Sequence, residues 1–421
     1  MPRQTVLFQD MQRPVVFVDC PEIPLTLREI APSWFFREQP EAEMKAAGQE
    51  PAVVMHKLDG AYGIGVPWRE TPWLSDTLVG AVCTLAVDLI ESHLVDNPGL
   101  LGLHGAAALF GQGLVLFPAE KRAGKSALSA QLLLDGVRLY GDDLIALDAH
   151  DRGTAYGFAP RLRRPLPAAI SNDLHDFIRH NSGARDDDYL YLSPALSNLA
   201  RHGEQAPLTA IVLLDRRNSG ECRLERLPDS EGLHHLAAQY LARDASSDDV
   251  LERCRKLAES LPTYSLRYAD LKEASACLQA HFSQDQAVAA GSRVARVTAA
   301  SGPGSDPIHR PTLTAQKEEQ GEGLAIRLPE IPRGHPYVQT AGVKAQRLDG
   351  NLFLSHQATG AIHRLNPMGA SLWGLLAVPI SLDEAVETFR TAFPDVEASR
   401  LENDLQQIFQ ELLAETLIQP I

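Results

Sequence analysis

The chain has 421 residues, a formal net charge of −15 and 44% apolar residues. That length accommodates two or more domains with real cores, and the acidic balance argues against a general nucleic-acid role while leaving local basic sites open. The five cysteines (Cys20, Cys83, Cys222, Cys254, Cys277) contain no C-x-x-C pair, which disfavours structural zinc and points to a reducing compartment. The N-terminus lacks a signal-like pattern, and no apolar run reads as long enough to span a bilayer, so a cytoplasmic protein with no membrane association is expected.

Residues 1–75 alternate short apolar runs, such as Val15-Val16-Phe17-Val18, with turn residues, and predict a strand-rich region. Leu78, Val82, Leu85, Leu89 and Ile90 share one face of a helix over 76–96, ended by Asp96-Asn97-Pro98-Gly99. Residues 101–110 predict a strand carrying His104. The turn Gly111-Gln112-Gly113 then returns the chain as a second strand over 114–117.

The residues after that second strand carry the most chemistry. An eight-residue loop ends in Gly124-Lys125-Ser126, and Leu128, Leu132 and Leu133 continue at helical spacing to Gly136. A strand, a loop and a helix N-terminus in this order suit polyphosphate: backbone N–H groups face the anion, Lys125 reaches the outer phosphates and Ser126 can ligate magnesium. Ala119 stands where the strict phosphate-loop pattern has glycine, and Glu120 is unfavourable beside phosphate, partly offset by Lys121 and Arg122. Next come Asp142-Asp143, two carboxylates at the start of the apolar run 144–147. Beside a phosphate site such a pair can hold magnesium and accept a proton from an attacking hydroxyl; a solvated turn is the alternative. The basic loop around Arg161, Arg163 and Arg164 could clamp phosphate or an acidic peptide, or be plain surface. Asp186-Asp187-Asp188-Tyr189 reads as a mobile polar loop. A core strand over 208–214, helices over 231–258 and a strand and helix over 266–278 complete this part. His234 and His235 are adjacent and so do not form a metal pair.

Residues 283–330 are rich in Ala, Gly, Ser, Thr, Gln and Pro and read as a flexible linker whose length allows the flanking units to move independently. Residues 331–421 predict three strands (343–348, 351–354, 361–365) with Asp349-Gly350 as a hairpin turn. Three helices come next in the chain: one capped by Asn366-Pro367, one opened by the capping box Ser381-Leu-Asp-Glu384, and one with Leu401, Leu405, Ile408, Leu412 and Leu413 on one face. This is a winged-helix-like α+β arrangement, whose free sheet edge can capture an extended peptide by strand addition. DNA binding by it is disfavoured by the acidic chain and the lack of a dense basic helix.

Three pieces together, His104-Gly105, Gly124-Lys125-Ser126 and Gly141-Asp142-Asp143, resemble the HPr kinase/phosphorylase family and its relatives. The resemblance implies an α/β P-loop kinase core over 76–282, with residues 1–75 part of it or packed on it. It implies ATP and Mg²⁺ as cofactors, Ala123, Gly124, Lys125, Ser126 and Ala127 as the nucleotide-binding segment, and Ser126 and Asp143 as magnesium ligands. It further implies Asp142 as base with His104 assisting, the split between the two aspartates being open, and a serine of a protein or peptide as acceptor. Relatives often form homo-oligomers, although no number can be assigned to this chain. The segment associated with phosphorolysis is not identifiable, so a kinase alone is expected.

The C-terminal unit resembles the PqqD family through Gly342-Val343, Asp349-Gly350, Ile362-His-Arg-Leu-Asn366, Gly369-Ala-Ser-Leu-Trp373 and the long last helix. That resemblance implies recognition of the leader segment of a ribosomally made precursor peptide. The combined expectation is a peptide kinase with Arg161 and Arg163 as candidate substrate contacts. The alternative is a peptide-binding chaperone with a regulatory or degenerate nucleotide site.

Overall fold

The computed structural model describes residues 3–118, 123–167, 170–193, 197–241, 245–282, 305–308 and 329–421. The loop residues Ala119, Glu120, Lys121 and Arg122, and most of the expected linker 283–330, lie outside the described residues.

The N-terminal region is a six-stranded sheet. Its order is Phe36–Glu38, Arg3–Phe8, Val15–Val18, Val53–Leu58, Ala61–Gly65 and Trp73–Ser75. One face packs on helix Leu78–Asp96, whose start is capped by the Thr77 hydroxyl accepting the Gly80 N–H. By length and composition this helix could cross a membrane, which corrects the expectation that no run is long enough; 67% of an apolar 18-residue stretch of it is buried inside the protein. Its apolar residues join one core with Val15, Phe17 and Ile64 on one side and Leu144, Ala146 and Tyr156 on the other. The buried Asp88 carboxylate on the helix meets Arg69 at 2.9 Å, as a buried charge requires.

The central unit is built on a nine-stranded mixed sheet. Strand Leu101–Phe110 lies in its middle and pairs antiparallel with Gly113–Pro118, Arg138–Gly141, Leu144–Leu147 and Tyr240–Leu241. Gly113–Pro118, Gln205–Arg216 and Thr263–Tyr268 run parallel as neighbours. Side chains alternate between the two faces of a strand. Leu101, Leu103 and Ala107 pack beneath helices Asp229–Gln239 and Ser247–Ser260. Ala106, Ala108 and Phe110 pack beneath helices Lys125–Leu134, Asn172–His180 and Leu271–Phe282. The result is a three-layer α/β unit, in line with the mixed class expected.

The C-terminal unit has the expected three strands, Val343–Leu348, Asn351–His356 and Ile362–Leu365, and three helices, Pro367–Leu375, Leu382–Ala392 and Ala398–Ala414. Both halves of the capping box form, and Asn366 accepts the Gly369 N–H at 2.7 Å. Two elements go beyond the expected set. A small second sheet joins Pro336–Gln339 with Ile380–Ser381 and Ile418–Pro420, and Ser305–Ile308 adds a fourth strand beside Ile362–Leu365.

The two units are docked on each other. Phe353 and Ile362 are buried in the core that lies beneath helices Asp229–Gln239 and Ser247–Ser260. Around them Asp248 accepts from Gln357 at 2.7 Å and meets Lys344 at 2.7 Å, and Ser355 donates to it at 2.5 Å. Arg364 meets Glu231 at 2.6 Å, and Asp349 accepts the Ser230 N–H at 2.9 Å. Linker composition reports chain freedom between anchor points; it carries no information about whether the flanking surfaces are complementary.

Candidate active site

The carboxyl ends of the three parallel strands converge on the N-terminus of helix Lys125–Leu134. In open α/β sheets this is where ligands bind. Gly124, at the helix N-cap, has φ +96°, and a Cβ there would come 3.0 Å from the Tyr268 hydroxyl. Only glycine meets both conditions without strain. Lys125 begins the helix and is 6% exposed; Ser126 is half-buried.

Strands Arg138–Gly141 and Leu144–Leu147 both pair with Leu101–Phe110 and are joined by Asp142-Asp143. Gly141 lets this connection fold tightly, since a Cβ there would sit 2.4 Å from the Leu144 carbonyl oxygen. His104 lies directly opposite Leu144, and the next residue, Gly105, donates its N–H to the Asp143 carbonyl at 3.1 Å. His104 shares its parity with Ala106 and Ala108, which places it on the face covered by Lys125–Leu134. The three separate sequence pieces therefore meet in one cavity of about 690 Å³ lined by His104, Lys125, Ser126, Asp142 and Asp143. Ala123, Gly124 and Ala127 line it too.

The two aspartates have opposite electrostatics. Burial, then the neighbouring Asp143 charge, pushes Asp142 up to about 6, while Ser129, Ser126 and Lys125 pull weakly the other way. Burial also opposes ionisation of Asp143, but Arg161, His104 and Lys125 together outweigh it and hold its carboxyl below the usual range. The two sites titrate as a pair; the lower proton affinity belongs to the residue beside the arginine. Asp142 accepts the Arg161 backbone N–H at 3.3 Å through Oδ2, and its buried Oδ1 has no hydrogen-bond partner among the described residues.

Arg161 turns inward. Its guanidinium meets Asp143 at 3.1 Å, contacts the Cys83 sulfur and lies over the Tyr189 ring at 4.6 Å. Arg163 is exposed at the rim, 6.0 Å from the same ring. The two arginines share one face of strand Arg161–Arg163, with Leu162 buried on the other, and differ in depth: Arg161 reaches in to Asp143 while Arg163 stays at the exposed rim. The segment 186–189 is a hydrogen-bonded turn: Asp186 Oδ1 accepts the N–H groups of Asp188 and Tyr189, and its Oδ2 accepts the Thr77 hydroxyl. The imidazoles of His234 and His235 stand edge to face, 5.3 Å apart. No cluster of three metal-ligating His, Cys, Asp or Glu side chains occurs among the described residues.

Three residues at or beside the cavity carry no signal in the sequence pattern alone. Arg216 ends strand Gln205–Arg216 beside Gly124, where a Cβ would lie 3.6 Å from its Cδ. Tyr268 ends the next parallel strand, fully buried, with its hydroxyl beside Gly124 and no hydrogen-bond partner among the described residues. Tyr189 supplies the ring beneath Arg161. The one usable clue to the first two is position: a charged or hydroxylated residue at the carboxyl end of an apolar parallel strand next to the loop strand.

Residues 351–418 match the PqqD family, described as coenzyme PQQ synthesis protein D. This is a PqqD-like domain at the C-terminal end of a mixed α/β chain. No curated protein matches the chain. Among solved structures, the Hpr(Ser) kinase/phosphatase from Coxiella burnetii aligns with 13% identity over 40% of this chain and 85% of that one, with a TM-score of 0.20. A score that low carries no argument, so the chemistry of the central unit has to be argued from its own residues.

Proposed function

We propose that the chain is a Mg-ATP-dependent kinase that phosphorylates a hydroxyl, a serine in the first instance, of a ribosomally synthesised precursor peptide whose leader is held by the PqqD-like domain. The observation that carries this reading is the meeting of Lys125-Ser126, His104 and two electrically distinct aspartates in one cavity at a helix N-terminus. A cavity of this size fits a nucleotide.

The residues suit a magnesium–nucleotide complex. Asp143, kept ionised by Arg161, and the Ser126 hydroxyl are the groups that would hold the ion; two protein oxygens with phosphate and water completing the shell is the usual magnesium arrangement. Bound magnesium would supply neutralisation of phosphate charge. Lys125 and the backbone N–H groups of the helix start hold the phosphates by charge and by unsatisfied donors. Asp142 is the base. Its proton affinity, raised towards neutrality, lets it be unprotonated at pH 7 yet accept the hydroxyl proton as the substrate oxygen bonds to the γ-phosphorus and the bond to ADP breaks. Arg161 serves as a positioning residue for Asp143 in this scheme, and exposed Arg163 stays a candidate substrate contact at the rim.

The direct test is Lys125→Ala. Phosphoryl transfer should be lost while leader binding stays at the wild-type level, since the two functions belong to different units. Equal loss of both would remove the basis for assigning them separately.

A further inference from the structure

Strand Ile362–Leu365 has Asn351–His356 on one side. On the other side lies Ser305–Ile308, antiparallel, with Ser305 opposite Leu365 and Ile308 opposite Ile362. The same short segment runs against helix Ala398–Ala414 and against helix Asp229–Gln239 of the central unit. It therefore fills a slot bounded by the sheet edge of the PqqD-like domain, that domain's last helix and the surface on which the domain is docked.

An open strand edge presents a row of unpaired N–H and C=O groups, which any extended peptide can pair with. Here four residues of the chain itself take that place. Pro307 is one of them and has no N–H to give, which confines it to an edge position. Four residues make a weak strand. Tethering compensates, because a segment attached nearby acts at an effective concentration in the millimolar range. The combination is a cover that holds the edge in the resting chain and yields to a longer strand.

We infer that Ser305–Ile308 is a built-in competitor for the peptide-binding edge, and that an extended segment of the precursor peptide must displace it to bind. This rests on the peptide-kinase reading for the identity of the displacing peptide; the self-occupancy does not. Displacement also places the incoming peptide against helix Asp229–Gln239, so capture is registered by the central unit as well as by the PqqD-like domain.

The test uses the full chain and a fluorescein-labelled synthetic peptide with the sequence of residues 301–312. Asp306→Pro with Ile308→Pro makes three consecutive prolines and leaves no N–H at 306–308 to pair on either side. The labelled peptide should bind this variant roughly tenfold or more tightly than it binds wild type. Amides of 362–365 should exchange faster in the variant and regain protection when the peptide is added. Equal binding to both chains, with unchanged exchange at 362–365, would overturn the proposal. A second measurement needs no variant: adding excess precursor peptide to wild type should speed exchange of those amides among 305, 306 and 308 that face strand Ile362–Leu365, and unchanged exchange throughout 305–308 with the peptide bound would also overturn it. Neither arm involves ATP. Failure here leaves the kinase reading standing, and absence of phosphoryl transfer leaves the displacement result standing.

Discussion

The Arg161 guanidinium lies 3.1 Å from the Asp143 carboxylate, and this contact separates two neighbouring acids into one that stays ionised and one poised to take a proton. Replacing Arg161 by Met removes the cation that most favours ionised Asp143. The proton affinities of the pair should then rise, so the acid limb of the pH–rate profile for phosphoryl transfer should move to higher pH. Activity at pH 7 should fall by about tenfold or more, the scale of one properly charged group in a low-dielectric site. An unchanged profile with lower activity throughout would mean that Arg161 acts only by packing.

Asp142 makes a prediction that does not depend on catalysis. Its affinity for a proton is raised in the folded state, from 3.8 to about 6. The folded chain thus holds this proton more tightly than the unfolded chain. That contribution to stability is fully present below the unfolded value and is lost as pH rises through the folded one. Asp142→Asn removes the titration. Its melting temperature relative to wild type should climb between about pH 4 and pH 6 and level off above, by a few degrees. Melting curves across that range decide it; a constant difference at all pH values would contradict the raised value.

Arg216 and Tyr268 converge on Gly124 from the ends of two adjacent parallel strands. Arg216→Ala should weaken binding of a fluorescent ATP analogue by roughly tenfold, the worth of one charge-assisted contact, and leave peptide affinity unchanged. Titration of each ligand separately provides the check. Loss of peptide affinity with intact nucleotide binding would place Arg216 on the wrong side of the cavity.

Much of this arrangement is legible in the sequence. The turn Asp349-Gly350 has positive φ at both residues, which is why that dipeptide marks a hairpin so reliably. The Ser381–Glu384 box and the Asn366-Pro367 cap are local codes, completed within four residues, and they hold. His104, Lys125 and Asp142 can be grouped because they lie close in sequence, on a strand, the helix after the neighbouring strand, and the next strand connection. The hidden part depends on distant pairings. Arg216 and Tyr268 carry no mark of a role in the sequence, because their neighbour Gly124 is far away in it. The order of the six N-terminal strands, with Val15–Val18 parallel to Val53–Leu58, is not encoded in any alternation pattern. Docking of the two units joins Asp248 to Ser355 and Gln357 across the whole linker, and a linker rich in small residues gives no hint of it.

That docking changes how the tether should be tested. Phe353→Ala should lower the stability of the whole chain by about 3–5 kcal/mol, because the ring belongs to the core shared with the central unit. Removing 331–421 would expose the same core, so a raised substrate KM in a truncated chain would not report on tethering alone. Asp248→Ala is the cleaner perturbation. It should cost roughly 1–2 kcal/mol and increase amide exchange over 351–357, with the central helices unaffected. Burial works against ionised Asp248, but Lys344, Ser355 and Gln357 outweigh it and lower its proton affinity. Its contribution is therefore present above the unfolded carboxylate value and is lost as pH falls through the folded one. Exchange over 351–357 that is identical in the variant and wild type would show that the apolar contact alone holds the units.

The central claim is phosphoryl transfer to a peptide, and mass spectrometry reads it directly. A candidate precursor peptide that the protein binds is incubated with the protein, ATP and Mg²⁺, in parallel with the Asp142→Asn protein. The account predicts the gain of one phosphoryl group with wild type only, located by fragmentation on a hydroxyl-bearing residue outside the leader. An unchanged peptide mass, with the peptide still bound and the nucleotide intact, would contradict it and leave a peptide-binding protein whose nucleotide site serves regulation.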